Sequence, residues 1–97
     1  MKVRFSPSAT DDIIQIADYL IERRPAAARA VETAIRNSIG LLAEFPGSGR
    51  GMIERPGVRI MPIVRYPYLI YYEIGQNELV VLRILHGARA PLSPDTL

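Results

Sequence analysis

Residues 58–86 read VRIMPIVRYPYLIYYEIGQNELVVLRILH, and this stretch decides the fold. Side chains alternate with a period of two on both sides of the turn sequence GQN, which is typical of strands joined by a tight turn. Before the turn, one predicted face carries Tyr66, Tyr68, Ile70, Tyr72 and Ile74, and the other carries Arg65, Leu69, Tyr71 and Glu73. After the turn, Val80, Leu82, Ile84 and His86 oppose Leu79, Val81, Arg83 and Leu85. We therefore predict a three-strand antiparallel meander over this stretch.

The residues before the meander predict a strand and two helices. KVRF at 2–5 alternates like a short strand, and either Ser6 or Ser8 can cap a helix over residues 7–23. Pro25 ends that helix and starts a second one over residues 25–44, followed by a flexible connector at 45–51. The predicted architecture is α+β, in the order β-α-α-β-β-β, with the helical hairpin packed on one face of a mostly antiparallel sheet.

Composition limits the class of protein. The chain has 97 residues, which predicts one domain over 1–97 with residues 90–97 as a tail. It has no cysteine and one histidine, so we expect no metal and no cofactor. No apolar run is long enough for a membrane helix, and no signal peptide is evident, so we expect a cytoplasmic protein without a membrane partner. Eleven of the twelve cations are arginine, a side chain suited to carboxylates and phosphates.

The last strand is apolar on both predicted faces, whereas two short helices can cover only one of them. The face away from the helices is predicted to carry Leu69, Tyr71, Leu79, Val81 and Leu85. An apolar patch of this kind usually marks a partner surface, although the tail or the curvature of the sheet could also bury it.

LRILHGAR at 82–89 holds the only histidine, beside two arginines. His86 could act as a general base, because its ordinary pKa lies near neutrality. It also falls on the stripe shared with Ile84, and a histidine in such a position is more often a hydrogen-bonded structural residue. Neither helix presents a basic face, so we expect no sequence-specific DNA binding.

Three motifs in this order resemble a known family: FPGSGR at 45–50, RYPYLIYY at 65–72 and ILHGAR at 84–89. From Val3 to about Arg89 the chain resembles the ParE branch of the RelE/ParE toxin superfamily. The resemblance implies a toxin neutralised by a cognate antitoxin, which is ParD-like or another small DNA-binding protein. RelE-like members are ribosome-dependent ribonucleases, whereas ParE-like members poison DNA gyrase by binding.

The residues favour the binding branch. Leu69 stands where a RelE-type site has an arginine, no lysine follows Lys2, and the segment after Arg89 has neither tyrosine nor histidine. The resemblance therefore predicts a toxin without catalytic residues. The alternatives are a rearranged ribonuclease site built from Arg65, His86 and Arg89, and a decayed toxin that only binds its antitoxin.

We predict two contact surfaces. Target binding is assigned to Arg65, Arg83, His86 and Arg89, which can make charge-assisted contacts with acidic groups. The antitoxin is assigned to the apolar second face (Leu69, Tyr71, Leu79, Val81 and Leu85) and to grooves beside the helical hairpin. It would dock by strand addition or as a helix in a groove.

Overall fold

The computed structural model describes residues 1–87; residues 88–97, with Arg89 and the predicted tail, lie outside the described part. Along the chain the elements are β1 (Lys2–Phe5), α1 (Pro7–Arg23), α2 (Pro25–Glu44), a short 3₁₀ turn (Pro46–Ser48), β2 (Arg50–Gly51), β3 (Val58–Pro62), β4 (Tyr68–Ile74) and β5 (Glu78–His86). The strands form one sheet in the order β1-β5-β4-β3-β2, in which β1 is parallel to β5 and the other neighbours are antiparallel.

The predicted α+β architecture is confirmed, and both helices have the predicted bounds. β1 joins the sheet as an edge strand that is parallel to β5. The segment 45–51, which the sequence predicts as a flexible connector, contains the 3₁₀ turn and the edge strand β2. A two-residue strand is too short to leave a periodic pattern in the sequence.

The start of α1 is fixed by Ser6. Its hydroxyl accepts a hydrogen bond from the Ala9 N–H at 3.0 Å, and Pro7 occupies the first turn, where no N–H is needed. The same hydroxyl donates to the carbonyl of Leu82 at 2.8 Å. Ser6, and not Ser8, is therefore the cap, and it joins the first helix to the last strand.

Tyr72 holds the segment that follows α2. Its hydroxyl donates to the Pro46 carbonyl at 2.7 Å and accepts from the Gly49 N–H at 2.9 Å. A Cβ at Gly49 would lie 2.6 Å from that hydroxyl, so the close approach requires glycine. The FPGSGR motif and the tyrosine-rich strand are thus two parts of one contact.

A β-bulge in β5 changes which side chains share a face. Tyr71 lies opposite Arg83 but Tyr72 lies opposite Val81, so Leu82 has no opposite residue on β4. Leu79 and Val81 therefore belong with Ile84 to the core on the helix side, where both are 0% exposed. Their predicted place on the second face is wrong, because a strict period of two cannot anticipate an extra residue.

The faces predicted for β4 are confirmed. Tyr68, Ile70 and Tyr72 pack in the core on the helix side, and Leu69 and Tyr71 lie on the second face. That second face is not bare, since Tyr71 is 1% exposed and Leu85 is 4% exposed. The β2–β3 hairpin contributes Met52, Val58 and Ile60 to this second cluster, and the bulge adds Val80 and Leu82, which the alternation places on the helix side.

Candidate partner-binding groove

A groove of about 600 Å³ opens between the helical hairpin and one end of the sheet. Its walls come from α1, from the start of α2, and from the segments 66–68 and 84–86. Its apolar lining comes from core side chains, including Ile16, Leu20, Val31 and Ile84. Polar and aromatic side chains also line it: Asp12, Gln15, Tyr19, Arg24, Tyr66 and His86. Apolar walls with a few polar groups are typical of a site that binds another molecule.

His86 lies in this groove, at the end of β5. It is opposite Tyr68 in the sheet, and the two rings meet edge to face with centroids 5.6 Å apart. Burial, followed by the charge of the neighbouring Tyr19, raises the pKa of the Tyr68 hydroxyl. The contact with Tyr68 agrees with the prediction that His86 shares a face with Ile84. Its side chain is exposed, because the strand ends there.

Arg83 is held within the protein by Asp12 of α1. The guanidinium donates twice to this carboxylate, from Nε to Oδ2 at 2.7 Å and from Nη2 to Oδ1 at 3.0 Å. The backbone N–H of Ile84 donates to Oδ2 at 3.0 Å. The hydrogen bond with Asp12 is the main reason why the pKa of Arg83 is raised. The carboxylate is buried, so this pair ties α1 to β5.

The role of Asp12 is absent from the prediction made from the sequence. One signal could have identified it: Asp12 falls at i+3 from Ala9 and at i−4 from Ile16, on the buried stripe of α1. An acidic residue on such a stripe needs a buried partner, because an unpaired charge is costly there.

The alternation predicts that Arg65 lies on the strand before the GQN turn, but the structure places it outside β4. It occupies the β3–β4 loop, where its φ is +74° and its side chain is exposed. The Gly87 N–H donates to the Pro67 carbonyl at 2.6 Å, so this loop and the end of β5 are adjacent. The structure therefore brings Arg65 and His86 to the same end of the sheet, and Arg89 lies outside the described residues.

The residues assigned to the antitoxin fall into two groups. Leu69, Tyr71 and Leu85 share the second face, with Leu69 opposite Leu85, whereas Leu79 and Val81 are in the core on the helix side. Among residues 1–87, no cluster of three His, Cys, Asp or Glu could hold a metal ion. Over the same residues, neither helix combines the length and the apolar character needed to cross a membrane.

Comparison with solved structures places this architecture among proteins of toxin–antitoxin systems. A chain described as "Chromosomal ParDE TA system from P. aeruginosa" superposes with a TM-score of 0.77 at 25% sequence identity, covering 89% of this chain and 95% of that one. The family model for the ParE toxin of the type II toxin–antitoxin system parDE matches residues 3–91. The chain belongs to this ParE toxin family, which confirms the resemblance drawn from the three motifs.

Two curated relatives are named as toxins, and one of them carries the name RelE. "Toxin RelE2" of Caulobacter vibrioides is 31% identical over 81 residues, which are 84% of this chain and 89% of the relative. "Putative toxin Y4kP" of Sinorhizobium fredii is 30% identical over 87 residues, which are 89% of this chain and 88% of the relative.

Proposed function

We propose that this toxin acts in the cytoplasm by binding and poisoning DNA gyrase, and that its antitoxin neutralises it by occupying the groove beside the helical hairpin. The observation that carries the proposal is the ParE family match over residues 3–91. The groove supports its second part, because core side chains from both helices and from the sheet give it apolar walls.

The groove fits an amphipathic segment with one acidic residue. Ile16, Leu20 and Val31 offer an apolar floor to the segment, and exposed Arg24 at the helix–helix connection offers a charge-assisted contact to a carboxylate. An amphipathic helix laid in a groove, or an extended strand, can supply both kinds of contact.

Binding, and not RNA cleavage, is favoured by the surroundings of Arg83 and Leu69. Cleavage needs cations close to the scissile phosphate, together with an acid and a base. The guanidinium of Arg83 is held by Asp12 in two hydrogen bonds. Leu69, at the position where a RelE-type site has an arginine, is packed against the apolar cluster of the second face.

Expression without the antitoxin tests the choice of target. We expect growth arrest with DNA breaks in cells, and inhibition of supercoiling when the purified chain is added to purified gyrase. Rapid loss of mRNA with normal supercoiling would instead establish the ribonuclease alternative. Unimpaired growth with retained antitoxin binding would establish a decayed toxin.

Two α1 side chains of similar exposure test the antitoxin site. Tyr19 is 54% exposed and lines the groove, whereas Ile21 is 60% exposed and does not line it. We expect Tyr19→Ala and Arg24→Glu to weaken antitoxin binding in a titration, and Ile21→Ala to leave it unchanged. Equal affinities for the three variants and the unsubstituted chain would place the antitoxin elsewhere.

A further inference from the structure

The β3–β4 loop, residues 63–67, presents two unusual side chains at its tip. Val64 is 76% exposed, although it is an aliphatic β-branched residue next to the core residue Ile63. Arg65 follows it with a φ of +74°, and it is the one residue other than glycine with a positive φ in the described part of the chain. An isolated exposed aliphatic residue is common, whereas a positive φ at a residue other than glycine is uncommon.

This loop is held firmly on both sides of its tip. The Ile63 N–H donates to the Tyr68 carbonyl at 3.0 Å, and Ile63 itself is 3% exposed in the core. Pro67 accepts the hydrogen bond from Gly87, and its ring fixes the backbone before β4. The tip is therefore a preorganised projection, which lowers the entropy lost when it binds a partner.

The left-handed backbone at Arg65 belongs to a β-turn, in which the Tyr66 N–H donates to the Ile63 carbonyl at 3.4 Å and Arg65 is the third residue. Glycine would adopt this conformation without steric cost, yet the position holds a long charged side chain. Strain of this kind accumulates at binding sites, where the side chain is needed in a particular direction. Within residues 1–87 the Arg65 guanidinium takes part in no ion pair with Asp or Glu.

We propose that Val64 and Arg65 form the surface by which the toxin binds its target protein. Val64 enters an apolar pocket of the target, and Arg65 contacts a carboxylate beside that pocket. This assignment rests on the proposed function and deepens it. The partner surface is protein and not nucleic acid, because an exposed valine finds no apolar partner along a phosphate backbone. Arginine anchors surrounded by apolar contacts are typical of protein interfaces.

The loop also explains how a bound antitoxin silences the toxin. Tyr66 and Pro67 belong to this loop and line the groove in which we place the antitoxin. An occupant of the groove therefore lies directly beside the tip, and it excludes the larger target from the same end of the molecule.

The test compares the loop with a matched exposed residue in the same full-length chain. Ile53, in the β2–β3 loop at the opposite end of the sheet, is 91% exposed and serves as the control. Val64→Ser, Arg65→Gly, Arg65→Glu and Ile53→Ser are expressed without antitoxin, and growth arrest is measured against the amount of toxin. Thermal unfolding and antitoxin titration of each purified variant report on folding and on the groove.

We expect Val64→Ser and Arg65→Gly to require roughly tenfold more toxin for the same arrest, as for a residue that dominates an interface, and Arg65→Glu to abolish arrest. We expect the antitoxin affinity of the three loop variants to stay within error of the unsubstituted chain. The unfolding temperature should also stay within error, and for Arg65→Gly it should stay the same or rise, because glycine relieves the strained backbone. Ile53→Ser matches the unsubstituted chain.

Full toxicity of the three loop variants overturns this assignment and leaves the proposed function intact. Loss of antitoxin affinity in parallel with toxicity assigns the tip to the antitoxin and also overturns it. An unsubstituted chain that arrests nothing overturns both the assignment and the proposed function.

Discussion

The outer edge of β5 is completed in two different ways along its length. Over residues 78–81 it pairs with the backbone of β1, from Lys2 opposite Glu78 to Phe5 opposite Val81. Beyond Val81, side chains replace the missing strand: the Ser6 hydroxyl donates to the Leu82 carbonyl, and the Asp12 carboxylate accepts from the Ile84 N–H. The first half is a strand ladder, and the second half is completed from the start of α1.

The two halves also carry two ion pairs of different kind. Arg4 and Glu78 pair at 3.2 Å between side chains that are 56% and 36% exposed. Arg83 and Asp12 pair at 2.7 Å between side chains that are 23% and 8% exposed. Water competes with the first pair and hardly reaches the second, so the same chemistry should contribute very differently to stability.

Leu79→Ala should have the largest effect on stability. Leu79 lies in the strand-paired half and is 0% exposed in the core on the helix side, so truncation leaves a cavity. We expect the free energy of unfolding to fall by about 3–4 kcal/mol, measured by urea denaturation. Antitoxin affinity of the folded fraction should be unchanged. Reduced affinity without reduced stability would return Leu79 to the surface where the alternation had placed it.

The sequence predicts the helices and strands of this fold better than it predicts on which face of the sheet each β5 side chain lies. Helix bounds follow from Ser6, Pro7 and Pro25, which act locally and leave a clear signature. The bulge at Leu82 depends on the tertiary environment of β5, and it moves every side chain before it to the other face. An alternation counted from His86 therefore assigns Ile84 to the helix side correctly and Leu79 incorrectly.

The candidate site could likewise be predicted from the sequence only in part. Charge and residue type predict a role for Arg65 and His86, and the structure places both at one end of the sheet. Their surroundings could not be predicted, because they depend on contacts across more than 60 residues, such as the one between Asp12 and Arg83. The exposure of Val64 was equally inaccessible, since β4 begins only at Tyr68 and the loop before it was interpreted as strand.

Asp12→Ala should have the next largest effect, in the half completed by side chains. It leaves Arg83 without its partner and the Ile84 N–H without an acceptor, so we expect a loss of about 3 kcal/mol. Asp11→Ala is the matched control: Asp11 is exposed and lies beyond the first turn of α1, and its loss should cost less than about 0.5 kcal/mol. Similar unfolding free energies for the two variants would show that the contacts of Asp12 with β5 do not stabilise this edge of the sheet.

Ser6→Ala should have a smaller effect at the same edge. The hydroxyl caps α1 through Ala9 and also donates to Leu82, so its removal should cost about 1–2 kcal/mol. Ser8→Ala, two residues further along and exposed, should change stability by less than about 0.5 kcal/mol. Chemical denaturation of the two variants also decides between the two capping positions that the sequence allowed, and a larger loss at Ser8 would reverse the assignment.

Glu78→Gln should have the smallest effect and sharpens the contrast between the two ion pairs. Both side chains of the Arg4–Glu78 pair are more than one-third exposed, so water weakens their attraction. We expect the free energy of unfolding to change by no more than about 0.5 kcal/mol. The change should vanish in 1 M salt, which screens exposed charges, whereas the loss in Asp12→Ala should persist there. Parallel urea titrations at low and high salt measure both variants. If 1 M salt also removed the stability loss of Asp12→Ala, the Arg83–Asp12 pair would be as accessible to water as the Arg4–Glu78 pair.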